Sequence, residues 1–243
     1  MSKKNRIRIY TDVPLQVGEI VECLPEQAHY LVNVLRVKAG DEVYVFNGRD
    51  GEFCTKVVLC AKKDCRLEVK SLYKNFEKSP DVWLLFAPLK KDNTDLAVEK
   101  ATELGVSKIL PVITEYTNAT KVRCERLQAQ IIEASEQSRR QDVPQLAEAE
   151  TLQHVLQNWP AERMLFYLDE TGGGTEIANA FTNNAEPAAL LVGPEGGFSQ
   201  KELEILQKCK YTCAITLGKR ILRAETAVIA ALSCWQALCG DWK

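Results

Sequence analysis

The chain has 243 residues, 46% of them hydrophobic and 26% charged, and its 31 basic and 33 acidic side chains leave a formal net charge of −2. These proportions exclude a disordered chain, a collagen and a coiled coil, and a chain of this length buries enough surface to fold without disulfide staples. Apolar runs reach six residues, as in Ala227–Leu232, short of the ~18 of a membrane span, and Met1–Arg6 lacks the apolar core of a secretory signal, so a cytoplasmic protein is expected.

Residues 6–72 read as short strands separated by turn signals. Val43–Phe46 runs into Asn47-Gly48, and Asp50-Gly51 precedes Phe53–Leu59. Asn-Gly and Asp-Gly tolerate positive φ, which makes them hairpin cues between apolar runs. Leu67, Val69 and Leu72 close a small β-barrel or sandwich. Its one expected helix is Pro25–Leu35, with Ala28, Leu31, Val32 and Leu35 on one face. The polar stretch 73–80 reads as a linker.

Beyond it the pattern alternates strands and helices, the signature of a parallel α/β sheet. Strands are expected at 82–87, 108–113, 163–168, 188–192 and 213–217. Helices are expected at 93–104, 122–139, 199–208 and 225–239, with a weaker one near 151–157. Ser199 and Glu202 form a capping box. On the helix at 122–139, Glu133, Glu136, Gln137 and Arg140 form a polar stripe, while Leu127, Ile131, Ala134 and Ser138 share a more apolar face. The last helix is apolar almost all round, so it is buried against the sheet and a further surface, such as a second subunit.

Charge is unevenly distributed. Residues 1–72 hold 12 Lys/Arg against 10 Asp/Glu, a net of +2, and residues 73–243 hold 19 against 23, a net of −4. The first ten residues carry four positive charges and no negative one. Nine cysteines form no Cys-x-x-Cys pair, and the two histidines, His29 and His154, leave no zinc site of known spacing. None of the cysteines reads as catalytic.

Three expected strand ends carry the informative loops. The strand at 188–192 runs into Gly193-Pro194-Glu195-Gly196-Gly197-Phe198 and a capped helix. The strand at 213–217 leads to Gly218, Lys219, Arg220 and Arg223, with Glu225 and Thr226 at the next helix start. A third strand end offers Leu168-Asp169-Glu170 followed by Gly172-Gly173-Gly174. In open α/β sheets ligands sit at carboxyl ends of strands, and glycines let the backbone approach them. Neither dinucleotide nor P-loop spacing is present, so a nicotinamide-dependent Rossmann enzyme is disfavoured. Each loop alone is also compatible with an ordinary turn, and the basic one with a solvated surface.

Leu191–Phe198 together with Leu217–Ala227 resembles the SPOUT methyltransferases, and within them the RsmE family, which N3-methylates a uridine of 16S ribosomal RNA. Further matches are His29–Arg36, Lys100–Val106 and Glu133–Ser138. The resemblance implies an α/β protein: a PUA-like RNA-binding β-barrel at 1–72, a linker at 73–80, and a SPOUT domain at 81–243 with a deep trefoil knot around its parallel sheet. It implies S-adenosyl-L-methionine as cofactor, no metal, 16S rRNA or the small ribosomal subunit as partner, and a homodimer.

By carry-over, Leu168, Glu170, Leu191, Val192, Gly193, Pro194, Gly196, Gly197, Leu217, Gly218, Ile221, Leu222 and Thr226 would bind the cofactor. Arg223, Glu225 and Glu136 would be catalytic, Arg223 stabilising a developing uracil anion and either glutamate accepting the N3 proton. Arg6, Arg8, Arg36, Lys91, Gln137, Ser138, Arg140, Lys219 and Arg220 would meet RNA. The chain departs from the family pattern in Lys219 for a common Pro, Ala224 for a common Thr and Arg139 for a common Gly. The competing reading is a non-catalytic RNA- or ribosome-binding protein of the same fold.

Overall fold

The computed structural model describes residues 6–61, 63–118, 122–181 and 187–242. Lys3 and Lys4 of the basic N-terminal tip lie outside the described residues. The chain divides into two compact units: one extends to Lys78 and takes in Ser135–Val143, the other comprises Ser79–Ala134 and Pro144 onward.

The first unit contains β1 (Arg8–Tyr10), β2 (Ile20–Glu22), α1 (Pro25–His29), β3 (Glu42–Phe46), β4 (Glu52–Ala61) and β5 (Asp64–Lys74). They build one five-stranded sheet in the order β1-β3-β4-β5-β2, so the expected barrel or sandwich is realised as a single curled sheet with β1 and β2 at its edges. β1 pairs with β3 in parallel and the other pairs are antiparallel. The β3–β4 turn is where the Asn-Gly and Asp-Gly cues lie: Asn47 Oδ1 accepts from the Asp50 N–H at 2.9 Å. Gly51 has φ +103°, and a Cβ there would lie 2.5 Å from the Lys74 carbonyl oxygen, which explains a glycine at the turn's end.

Val43 and Val45 alternate inward and pack with Val57, Leu67 and Val69 beneath Ala28 and Leu31. Each such aliphatic chain contributes about 1.5–3 kcal/mol on burial. The helix expected at Pro25–Leu35 is α-helical only to His29. A π turn, Tyr30–Val34, follows, and the Leu35 N–H donates to the Tyr30 carbonyl. Arg36 leaves it with φ 57°.

The second unit contains β6 (Val82–Phe86), α2 (Lys91–Glu103), β7 (Lys108–Ile113), most of α3 (Cys124–Ser138), β8 (Gln145–Leu146), β9 (Glu150–Thr151), α4 (Leu152–Gln157), β10 (Met164–Leu168), β11 (Thr175–Glu176), α5 (Ile177–Phe181), β12 (Ala188–Val192), α6 (Gln200–Lys208), β13 (Thr212–Thr216) and α7 (Ala224–Leu238). Its sheet runs β11-β13-β10-β12-β6-β7-β8, with β9 also on β7, and every pair is parallel. Parallel sheets are covered on both faces, which is why β12 is a continuous apolar run, buried at all five positions.

α7 packs against α2, α5 and β12 through Ala227, Val228, Ala231, Leu232 and Trp235. In the helix read at 122–139, Leu127, Ile131 and Ala134 are buried as expected, but Ser138 is exposed and Ser135 is buried instead. Among the described residues no helix is long and apolar enough to cross a membrane.

Candidate active site

β13, β10 and β12 are neighbours in the sheet, so the loops leaving their carboxyl ends start side by side. They meet around one cavity of about 570 Å³, a size within the ~300–1,000 Å³ of ligand sites. Of the residues expected to hold a cofactor, Leu168, Glu170, Val192, Gly193, Pro194, Gly197, Leu217, Gly218, Ile221 and Leu222 line it. The same wall carries Asp169, part of the Leu168-Asp169-Glu170 strand end, and Thr171 and Phe198, which were not among the expected cofactor residues. Their signal was position alone: the first residues after a strand end and the residue before a helix cap.

Three of the expected cofactor residues stand apart. Leu191 is fully buried in the core with Leu165 and Tyr167, because alternate side chains of β12 point away from the loop. Gly196 faces Tyr116, whose Cβ an added methyl would meet at 3.4 Å. Thr226 is exposed on α7 and does not line the cavity.

The loop backbones are shaped by the sequence. Gly197 has φ +71° and Gly218 φ +98°, conformations that side chains rarely adopt. Ser199 then caps α6: its hydroxyl accepts from the Glu202 N–H at 3.3 Å, and Glu202 Oε2 accepts from the Ser199 N–H at 2.9 Å. Glu202 Oε1 also accepts from the Glu115 N–H at 2.9 Å, which anchors the loop beyond β7.

Arg223 occupies the N-cap of α7, is exposed and lines the cavity. Lys219 and Arg220 stand beside it on the same wall. The two expected proton acceptors are not among the residues lining this cavity. Glu225 is 7% exposed, with no hydrogen bond to Oε2 among the described residues, and is absent from the cavity lining. It lies in the first turn of α7, where the helix dipole favours a carboxylate. Glu136 is held in the first unit, where its Oε1 accepts the Tyr10 N–H at 2.8 Å.

The expected RNA contacts divide as well. Arg6, Arg36, Gln137 and Ser138 are exposed, and Arg6 lies over the Tyr44 and Tyr73 rings. Lys91 is exposed at the start of α2. Arg140 is bound to Asp142 at 3.0 Å, its side chain 7% exposed. Arg8 is a correction: it is 6% exposed, paired with Glu52 at 2.8 Å, and donates to the carbonyls of Ser135, Glu136 and Arg140. A guanidinium so enclosed has no face left for a phosphate.

The cavity suits S-adenosylmethionine chemically. Leu168, Val192, Phe198 and Leu222 supply apolar walls, glycines leave backbone amides uncovered, and carboxylates and cations share the rim. Such a mixture matches a ligand with an apolar ring, a sulfonium and a zwitterionic end. Burial pushes the Cys65, Cys213 and Cys234 thiols up, keeping them protonated and poor nucleophiles. Among the described residues no group of three or more His, Cys, Asp and Glu is placed to hold a metal ion.

Comparison with known proteins gives the same picture along the chain. An RNA methyltransferase domain model matches residues 77–236, and an RNA methyltransferase PUA domain model matches residues 25–70. The ribosomal RNA small subunit methyltransferase E of Rickettsia conorii is 36% identical over 231 residues, 93% of each chain. Two solved structures are each 30% identical and cover 98% of this chain and 100% of their own. One is a methyltransferase of Legionella pneumophila with bound S-adenosylmethionine, at a TM-score of 0.91. The other is the ribosomal RNA small subunit methyltransferase E of Neisseria gonorrhoeae bound to S-adenosyl methionine, at 0.89. The domain model runs through the very strands whose ends build the cavity, the likeness extends over both units, and the chain therefore belongs to the ribosomal RNA small subunit methyltransferase E family.

Proposed function

We propose that this protein, an S-adenosylmethionine-dependent ribosomal RNA methyltransferase, methylates N3 of one uridine in 16S rRNA of the small ribosomal subunit. The observation that carries the reading is the cavity where the loops of β10, β12 and β13 converge, with apolar walls and a charged rim. S-adenosylmethionine supplies a methyl group activated on a sulfonium. Leu168, Val192 and Leu222 would flank its apolar part, and the backbone at Gly193, Gly197 and Gly218 would hold its polar edges.

The protein's own work is then positioning and electrostatics. Transfer between two held groups gains most from orientation. Uridine N3 lies within base pairs or stacks, so the base must be exposed, as by flipping, before it can react. Arg223 is an exposed cation on the cavity wall and would stabilise negative charge developing on the uracil. Arg6, Arg36, Gln137, Ser138, Lys219 and Arg220 are exposed, as RNA contacts require.

The same reading assigns residues 1–72 to an RNA-binding domain, 73–80 to a linker and 81–243 to the catalytic domain, with the trefoil knot of the SPOUT superfamily, a homodimer and a cytoplasmic location. Support for the domain assignment comes from the PUA and methyltransferase models matching successive stretches of the chain. Incubation of the full chain with methyl-labelled S-adenosylmethionine and either naked 16S rRNA or small subunits tests it. Label at uridine N3 is expected. No transfer to either substrate, or transfer to another atom, would overturn the reading.

A further inference from the structure

A second cavity, of about 750 Å³, opens where β6 leads into α2. Lys90, Lys91, Arg123, Arg126 and Glu195 are among its lining residues. In its wall the Thr94 hydroxyl accepts from the Leu89 N–H at 2.9 Å. Arg126 is tied to Asp95. Lys90, Lys91 and Arg123 are exposed and form no ion pair among the described residues. On a convex surface three such cations would be ordinary. Around a concavity large enough for a nucleotide, they concentrate positive potential that an anion relieves.

Glu195 is the one residue common to the linings of this cavity and the cofactor cavity among the described residues. Its carboxylate has no hydrogen bond or ion pair among them. The other carboxylates are otherwise placed. Glu225 and Glu136 do not reach either lining, and Asp169 and Glu170 line the cofactor cavity alone. Asp169 also accepts the Thr171 N–H at 2.9 Å.

We propose, building on the methyltransferase reading, that this second cavity is the acceptor-nucleotide site. Lys90, Lys91 and Arg123 hold the phosphates flanking the target uridine, and Glu195 accepts its N3 proton at the wall next to the cofactor cavity. The N3–H bond breaks and its proton passes to the Glu195 carboxylate. The N3 electron pair forms the bond to the methyl carbon, and the methyl–sulfur bond breaks with its pair remaining on sulfur, which ends as a neutral thioether. Negative carboxylate and positive sulfonium are thus both neutralised, and N3-methyluracil leaves uncharged.

The test uses the full chain and a short single-stranded RNA oligonucleotide containing uridine, with S-adenosylhomocysteine present to fill the cofactor cavity. Lys91→Ala combined with Arg123→Ala is expected to weaken oligonucleotide binding at least tenfold. It should also flatten the dependence of log affinity on log salt by about 0.7 for each cation removed, as counterion release requires. Affinity for S-adenosylmethionine by calorimetry should stay within twofold. Glu195→Gln is expected to leave both affinities within threefold while methyl transfer falls at least a hundredfold, in the range of lost general-base catalysis.

Unchanged affinity and salt slope in the double variant, or no oligonucleotide binding by the wild type, would overturn the nucleotide site. Near-normal turnover in Glu195→Gln would overturn the proton acceptor. A wild type that transfers no methyl group to RNA sinks the methyltransferase reading instead, while one that methylates alongside indistinguishable variants sinks only this inference.

Discussion

Arg8 in the first unit and the Lys219, Arg220 and Arg223 cluster in the second are built from similar side chains and end in opposite circumstances. Arg8 sits over the Phe46 ring, pairs with Glu52 and donates to three carbonyls near the end of α3. A helix end leaves carbonyls without intrahelical partners, and a cation there also meets the negative end of the helix dipole. The three strand-end cations are exposed and form no ion pair among the described residues. Arg8 is a structural cross-link and the strand-end cations are available to a ligand; what separates them is how many partners the fold already provides.

The sharpest way to break that comparison is Arg8→Met set against Arg220→Met. Removing Arg8 leaves Glu52 buried without its cation, a defect of about 3–5 kcal/mol, whereas an exposed residue without partners shifts stability within about 0.5 kcal/mol. Urea unfolding of both variants measures the contrast, and equal midpoints would abolish it.

A smaller effect is expected at Gly197. Its φ is +71° and a Cβ would lie 2.0 Å from Glu170 Oε1. Gly197→Ala should cost about 1–2 kcal/mol of backbone strain and weaken S-adenosylmethionine binding at least tenfold by calorimetry. Wild-type affinity in this variant would remove the loop from the cofactor site.

Arg139 poses the reverse case. It is exposed with φ 64°, a left-handed conformation that glycine adopts freely. Arg139→Gly should therefore stabilise the protein by about 0.5–1 kcal/mol, read as a raised denaturation midpoint, and a lowered midpoint would mean that the side chain makes a contribution the backbone argument omits.

The smallest effect is electrostatic. The Leu15 N–H and the Asn47 amide hold Asp50 below the usual carboxylate range. Because the folded value is the lower one, this stabilisation is present above the ordinary carboxylate range and is lost as pH falls through the folded value. Asp50→Asn should flatten the acid end of the stability–pH curve while leaving the neutral end nearly parallel to wild type.

Much of the fold was legible locally. The strands at 108–113 and 188–192 appear with the expected bounds, and the main helices differ by a residue or two. β8, β9 and β11 are two residues each, too short for any periodicity to reveal. The helix at Pro25–Leu35 turned π-helical because one carbonyl accepts from five residues on rather than four, a choice that apolar spacing does not encode. Gly197 and Gly218 were recognisable because a loop needing positive φ selects for glycine, whereas Leu191 was misplaced because a strand-end motif does not say which of its side chains face the core.

The sequence by itself determined where strands end, where glycines permit the backbone to turn, and which family the paired loops resemble, since these follow from neighbours within a few positions. The tertiary structure alone decided that β13, β10 and β12 lie side by side, that Arg8 and Glu225 are buried, and that Glu195 borders both cavities. The reason is range. Periodicity records burial along one element, but the role of a charge depends on groups a few ångströms away, and for Arg8 those groups lie up to 132 positions along the chain.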